Sequence, residues 1–162
     1  MKCLYGYLIA FSLLFYFPLK VWAQSDKVFE TKYTTVYFSQ DNDLDDFLWR
    51  LGGKRLEFAS DRQLAQNRID RLVNRVRLIL DMWPDNFRIS INVERGALTF
   101  NKVSYYDEHT KTIHISVDYT SDGVLAHEIA HAIISQYFPS PVPAKMKEIL
   151  CQYVDKNLWS DY

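Results

Sequence analysis

The stretch His127-Glu128-Ile129-Ala130-His131 holds the residue types of a divalent-metal site at a helical interval. Residues four apart lie on one face of a helix, so two imidazoles can reach a single Zn²⁺ at about 2.0–2.1 Å. Glu128 is turned about 100° from His127. It stands beside the metal, where a carboxylate can take a proton from metal-bound water. Val124, Leu125, Ile129, Ala132 and Ile133 form an apolar stripe along the same segment, which predicts a helix laid on a core. The chemistry this set points to is metal-assisted hydrolysis, with Glu128 as general base.

A catalytic zinc site takes three protein ligands and keeps one position open. No histidine follows His131, which excludes the three-histidine arrangement on that side. Glu148, Cys151 and Asp155 are the candidates, all on the last predicted helix. Glu148 is preferred, because a proline-containing turn after His131 can fold that helix back on the first. Cys151 reads as a small buried side chain, since free cysteine is among the most buried residue types. Asp155 reads either as an acceptor orienting a zinc-bound histidine or as a surface or capping residue.

His-Glu-Ile-Ala-His followed by Lys147-Glu148-Ile149-Leu150-Cys151-Gln152-Tyr153 resembles the gluzincin metallopeptidases, especially the small peptidase-MA-like group. The match covers residues 122–156. The resemblance implies His127, His131 and Glu148 as ligands of one Zn²⁺ per chain and Glu128 as catalytic base. It also implies a minimal zincin-like α+β domain. That domain has a small twisted, mainly antiparallel sheet packed with helices, an edge strand bordering the cleft, an active-site helix and a ligand helix. A peptide or protein is the implied substrate. Gln152 stands where many gluzincins carry an Asp that bonds the first zinc histidine, and Ile149 replaces a small residue. Tyr153, Tyr137, Tyr106 and His114 are the candidates for a transition-state donor. For His114 the analogy makes its strand, Thr112–Val117, the one bordering the cleft. The alternative reading is an exported zinc-binding interaction domain on the same scaffold, without turnover. A partner chain completing the cleft is a further expectation, because a domain of this size holds the metal-binding half of such a fold.

The elements that must position these residues are legible from periodicity. Val28–Ser39 reads as a strand and Asp41–Leu51 as a helix stopped at Gly52-Gly53. A long amphipathic helix runs from Ser60 or Asp61 to about Met82, with Ala65, Ile69, Leu72, Val73, Val76, Ile79, Leu80 and Trp83 on its apolar side. Its arginines Arg62, Arg68, Arg71, Arg75 and Arg77 read as a solvated face rather than a nucleic-acid surface, since Asp70 and Asp81 interrupt them. Phe87–Glu94 alternates as a half-buried strand does. Strands at Leu98–Tyr106 and Thr112–Val117 flank the polar turn 107–111, and helices follow from after Gly123 to about Tyr137 and over 144–159.

The whole chain of 162 residues carries a net charge of −1, but that figure sums two unlike segments. Residues 1–23 contain two Lys, no acid and an apolar run from Leu4 to Phe17, the pattern of a signal peptide cleaved after Ala23. The run is short for a membrane span, which needs about 20 apolar residues. A retained anchor is the rival reading. Residues 24–162 form one domain, with 17 Lys+Arg against 20 Asp+Glu. This acidity excludes an electrostatic case for nucleic acid. The expected location is outside the cytoplasmic membrane, periplasmic or secreted, with no stable membrane span after cleavage. Cys151 alone remains, so no internal disulfide is expected.

Overall fold

A computed structural model describes residues 27–52, 61–98 and 102–160. The expected signal segment and its cleavage point lie outside these residues. The elements are β1 (Lys27–Glu30), β2 (Thr34–Phe38), α1 (Asp41–Gly52), α2 (Arg62–Leu80), β3 (Ile89–Glu94), β4 (Ser104–Asp107), β5 (Thr112–Ser116), α3 (Asp122–Tyr137) and α4 (Ala144–Asn157). The fold is α+β. None of the described helices is long and apolar enough to cross a membrane.

The single strand expected over 28–39 is a hairpin. Thr31 breaks it: its hydroxyl accepts from the backbone N–H groups of Tyr33 (3.2 Å) and Thr34 (3.0 Å). From α2, Asp70 accepts from the N–H groups of Lys32 and Tyr33, both at 3.3 Å. Side-chain hydrogen bonds of this kind offer the backbone a turn where propensity alone favours extension.

The five strands are ordered β1-β2-β3-β5-β4. The sheet is mixed rather than mainly antiparallel: β1–β2 and β4–β5 are antiparallel, while β2–β3 and β3–β5 are parallel. Two features produce this. The pair α1–α2 carries the chain across between β2 and β3, as parallel neighbours require. After the turn at Gly96 (φ 79°), the chain then passes beyond β3's neighbour, so β5 and not β4 pairs with β3. Alternation identifies strands but carries no information about adjacency.

One sheet face supplies Thr34, Val36 and Phe38 from β2, Ile89, Ile91 and Val93 from β3, and Ile113 and Ile115 from β5, all buried. The helices cover that face, and Ile129 and Ile133 of α3 lie fully buried in the shared core. Each such side chain contributes about 1.5–3 kcal/mol through removal from water. The helix α2 buries Ala65, Ile69, Leu72, Val73, Val76 and Ile79, as its spacing predicts, but Trp83 is half exposed. It ends at Leu80, with Asp81 in the left-handed region (φ 51°).

Arg62 and Arg71 of α2 are exposed, as a solvated face requires, but the other three arginines depart from it. Arg68 pairs with Asp122 of α3 and donates to the Leu51 carbonyl of α1 (3.0 Å). Arg75 donates to the carbonyls of Asn157, Leu158 and Ser160 at the end of α4. Arg77 is buried. Arg68 and Arg75 meet neighbouring helices and Arg77 meets Tyr33, Trp83 and Phe87, contacts that one helix's periodicity does not report.

Candidate metal centre

Ser121 caps α3, its hydroxyl accepting from the Val124 N–H at 3.2 Å. The cap sets the start of the helix, and the apolar stripe sets which side faces the core. His127 and His131 then fall on the flank facing α4, their rings 5.0 Å apart in an edge-on arrangement. The prolines at 139, 141 and 143 prevent helix continuation. The Pro143 carbonyl starts α4 by accepting from the N–H groups of Met146 and Lys147. Buried Cys151 and Val154 seat α4 against the core, and spacings of three and four then turn Glu148, Cys151 and Asp155 toward α3.

The Glu148 carboxylate meets both histidines. His127 Nε2 lies 3.5 Å from Oε1, and His131 Nε2 lies 3.5 Å from Oε2. Ligand atoms held about 2.0–2.1 Å from one tetrahedral ion stand about 3.4 Å apart, so this spacing fits a shared cation. The other ring nitrogen of His127, Nδ1, lies 2.9 Å from Asp155 Oδ2. An acceptor there places the imidazole proton on Nδ1 and leaves Nε2 free to ligate. Burial, then the neighbouring His127, holds the His131 imidazole below its ordinary pKa. That favours the neutral form a metal requires.

Cys151 competes with Glu148 for the third position. His127, His131 and Cys151 form a group that could hold a metal ion, with ligand atoms all within 4.8 Å of one another. The thiol is fully buried. Burial, followed by the nearby carboxylates Glu148, Glu128 and Asp155, pushes it up to about 12. Ligation by Cys151 requires loss of the thiol proton, because the thiolate is the coordinating form. Glu148, half exposed and already beside both Nε2 atoms, is the readier donor.

Glu128 is buried on the adjoining side of α3, and its Oε1 accepts from the Ser104 hydroxyl of β4 at 2.7 Å. Burial pushes its carboxyl above the usual range, while the Ser104 hydrogen bond and His127 pull it back. Two hollows meet at Glu128, Ser104 and Val103. One, about 570 Å³, continues past His131, Glu148 and Tyr106 to Lys147 and Glu108; the other, about 480 Å³, passes His127 and Asp155 to Trp159. An ion pair between Lys147 and Glu108 ties α4 to the β4–β5 turn at the outer end of the first.

The remaining candidates lie elsewhere. His114 projects from the opposite sheet face, stacked on Tyr105 at 4.6 Å with Nδ1 3.3 Å from Glu94. Its strand β5 lies inside the sheet. The edge strand bordering the hollows is β4, because β5 takes the place beside β3. Tyr153 and Tyr137 are exposed and line neither hollow. Tyr106 does line the first, with its hydroxyl 3.4 Å from Ser135 Oγ. Ser104 was not among the sequence candidates: a serine 24 residues before Glu128 carries no local signal of the contact.

Comparison with family models, with curated proteins and with solved structures returned no match. The functional reading therefore rests on the site.

Proposed function

We propose that the chain is an exported zinc-dependent peptidase of gluzincin type, on a minimal zincin-like domain. His127, His131 and Glu148 hold the metal, and Glu128 is the general base. The observation that carries the reading is the Glu148 carboxylate standing 3.5 Å from both Nε2 atoms, beside a buried carboxylate that opens on two hollows. When bound, zinc supplies Lewis-acid polarisation and acidifies water toward neutrality. Asp155 orients His127 through Nδ1, the role that Gln152 leaves vacant. Ser104 fixes Glu128 so that its free oxygen faces the cleft, where it accepts a proton from water and returns it to the leaving amine. The hollows on either side of Glu128 accept the peptide on the two sides of the scissile bond.

The decisive experiment compares the parent with Glu128→Gln on a mixed-peptide substrate, with zinc content measured in both. The expected result is retained zinc and loss of chelator-sensitive hydrolysis. Equal cleavage by the two proteins would overturn the assignment.

Cys151 favours a second reading. If His127, His131, Glu148 and Cys151 all ligate, four positions are filled and the site is closed, as in structural zinc sites. The chain would then be a zinc-binding interaction domain without turnover. Cys151→Ala separates the two: unchanged zinc affinity supports the peptidase, and a large loss supports the closed site.

A further inference from the structure

Apart from the candidate metal centre, the β1–β2 turn, the C-terminal part of α2 and the connection from α2 to β3 line a hollow of about 540 Å³. Arg77 lines it and is only 6 % exposed. Its Nε is buried without a hydrogen-bond partner, and among the described residues no carboxylate pairs with its guanidinium. Three aromatic rings surround that group instead: Tyr33 at 4.4 Å, Phe87 at 4.9 Å and Trp83 at 5.8 Å. Ring faces offset part of the desolvation of a guanidinium but accept none of its directional hydrogen bonds. Burying a cation in this way is costly unless a partner supplies the missing acceptors.

The rest of the lining indicates the partner's charge. Lys32, whose Nζ lies 5.0 Å from the Tyr33 ring centre, and Arg88 border the same hollow, with Asp85 as the one acid. Three cations against one carboxylate leave two net positive charges. We infer that this hollow is an oxyanion site that takes a phosphate group, with Arg77 as the buried anchor and Lys32 and Arg88 as its rim. The guanidinium fork matches two phosphate oxygens at once, and a phosphate monoester carries −1.5 to −2 at neutral pH, which the net charge of the lining balances. Half-exposed Trp83 lines the same hollow and offers a ring face to the carrier of the phosphate. A free phosphate compound and a phospholipid headgroup both present this chemistry.

Titration of the ¹⁵N-labelled protein with inorganic phosphate, at ionic strength held constant with chloride, tests the site. The expected result is saturable movement of the Arg77 Nε–H and Trp83 indole signals. Arg77→Met, which keeps the apolar stem, should weaken binding about tenfold or more. Because that variant could fail to fold, Lys32→Ala/Arg88→Ala serves as a second test on solvent-side positions and should weaken binding while leaving the melting temperature unchanged. Co-sedimentation with phosphatidic acid vesicles, against phosphatidylcholine vesicles alone, then separates the sources. Capture lost in the rim variant assigns a lipid headgroup, and phosphate binding without capture assigns a free phosphate compound. Absence of signal movement, movement reproduced by chloride, or affinity unchanged in the rim variant would overturn the inference.

Discussion

Asp155 lies seven positions after Glu148, two turns along α4, and its carboxylate reaches His127 Nδ1 at 2.9 Å. Carboxylates in this position fix the ring orientation and raise ligand basicity. Asp155→Asn leaves an amide that no longer strengthens the imidazole. Metal affinity should fall about 10–100-fold, measured by competition with a chromophoric chelator. An unchanged affinity would remove Asp155 from the site. The motif at 127–131 was legible because two histidines four apart report their own geometry. Asp155 was one of three acidic or thiol candidates on a helix, and nothing local separates a carboxylate bonded to a distant ring from one on the surface. Cys151 was legible as buried, but its closeness to both histidines depends on the docking of α4.

At the scale of elements, helix spans were read well because amphipathic periodicity and caps are local. The observed α3 ends at Tyr137 and α4 begins at Ala144, both as spacing predicts, while α3 starts at Asp122, two residues before the expected start. Strand pairing was read poorly, since β3–β5 adjacency is a non-local choice among several compatible edges. The turn joining β4 to β5 holds the edge strand that carries Ser104. Asp107 shapes it, accepting from the His109 N–H (2.9 Å) and the Thr110 hydroxyl (3.0 Å). The His109 N–H, then Thr110, hold the Asp107 carboxyl below its ordinary value. A depressed folded-state pKa contributes stability that is complete above the unfolded value and lost as pH falls through the folded one. Asp107→Ala should therefore lower the melting temperature at neutral pH, and the difference should vanish in strong acid below the ordinary carboxylate range. A difference independent of pH would show that the contribution is not electrostatic.

For the whole molecule, the candidate metal centre lies between α3 and α4, which are otherwise tied by packing and, through α2, by the Arg68 and Arg75 contacts. A ligand bound only by the folded state stabilises it by about 2.7 kcal/mol at a free concentration of 100 times Kd. Zinc should raise the melting temperature of the metal-free protein and a chelator should reverse the gain. Glu148→Ala should reduce the gain. Full stabilisation by zinc in that variant would assign the third position to Cys151.

The sequence by itself determined the helices, the buried faces of α2 and α3, the general-base candidate and the pair of histidines, because all of these follow from intervals along one element. It also separated the acidic stretch of residues 24–162 from an apolar leading segment by composition. Only the tertiary structure decided the mixed strand order, the partner of Glu128 and the place of Asp155. It alone turned Arg77 from a surface residue into a buried cation without a carboxylate. Those outcomes depend on which elements come to lie side by side, a choice made by the summed packing of the core rather than by any local pattern.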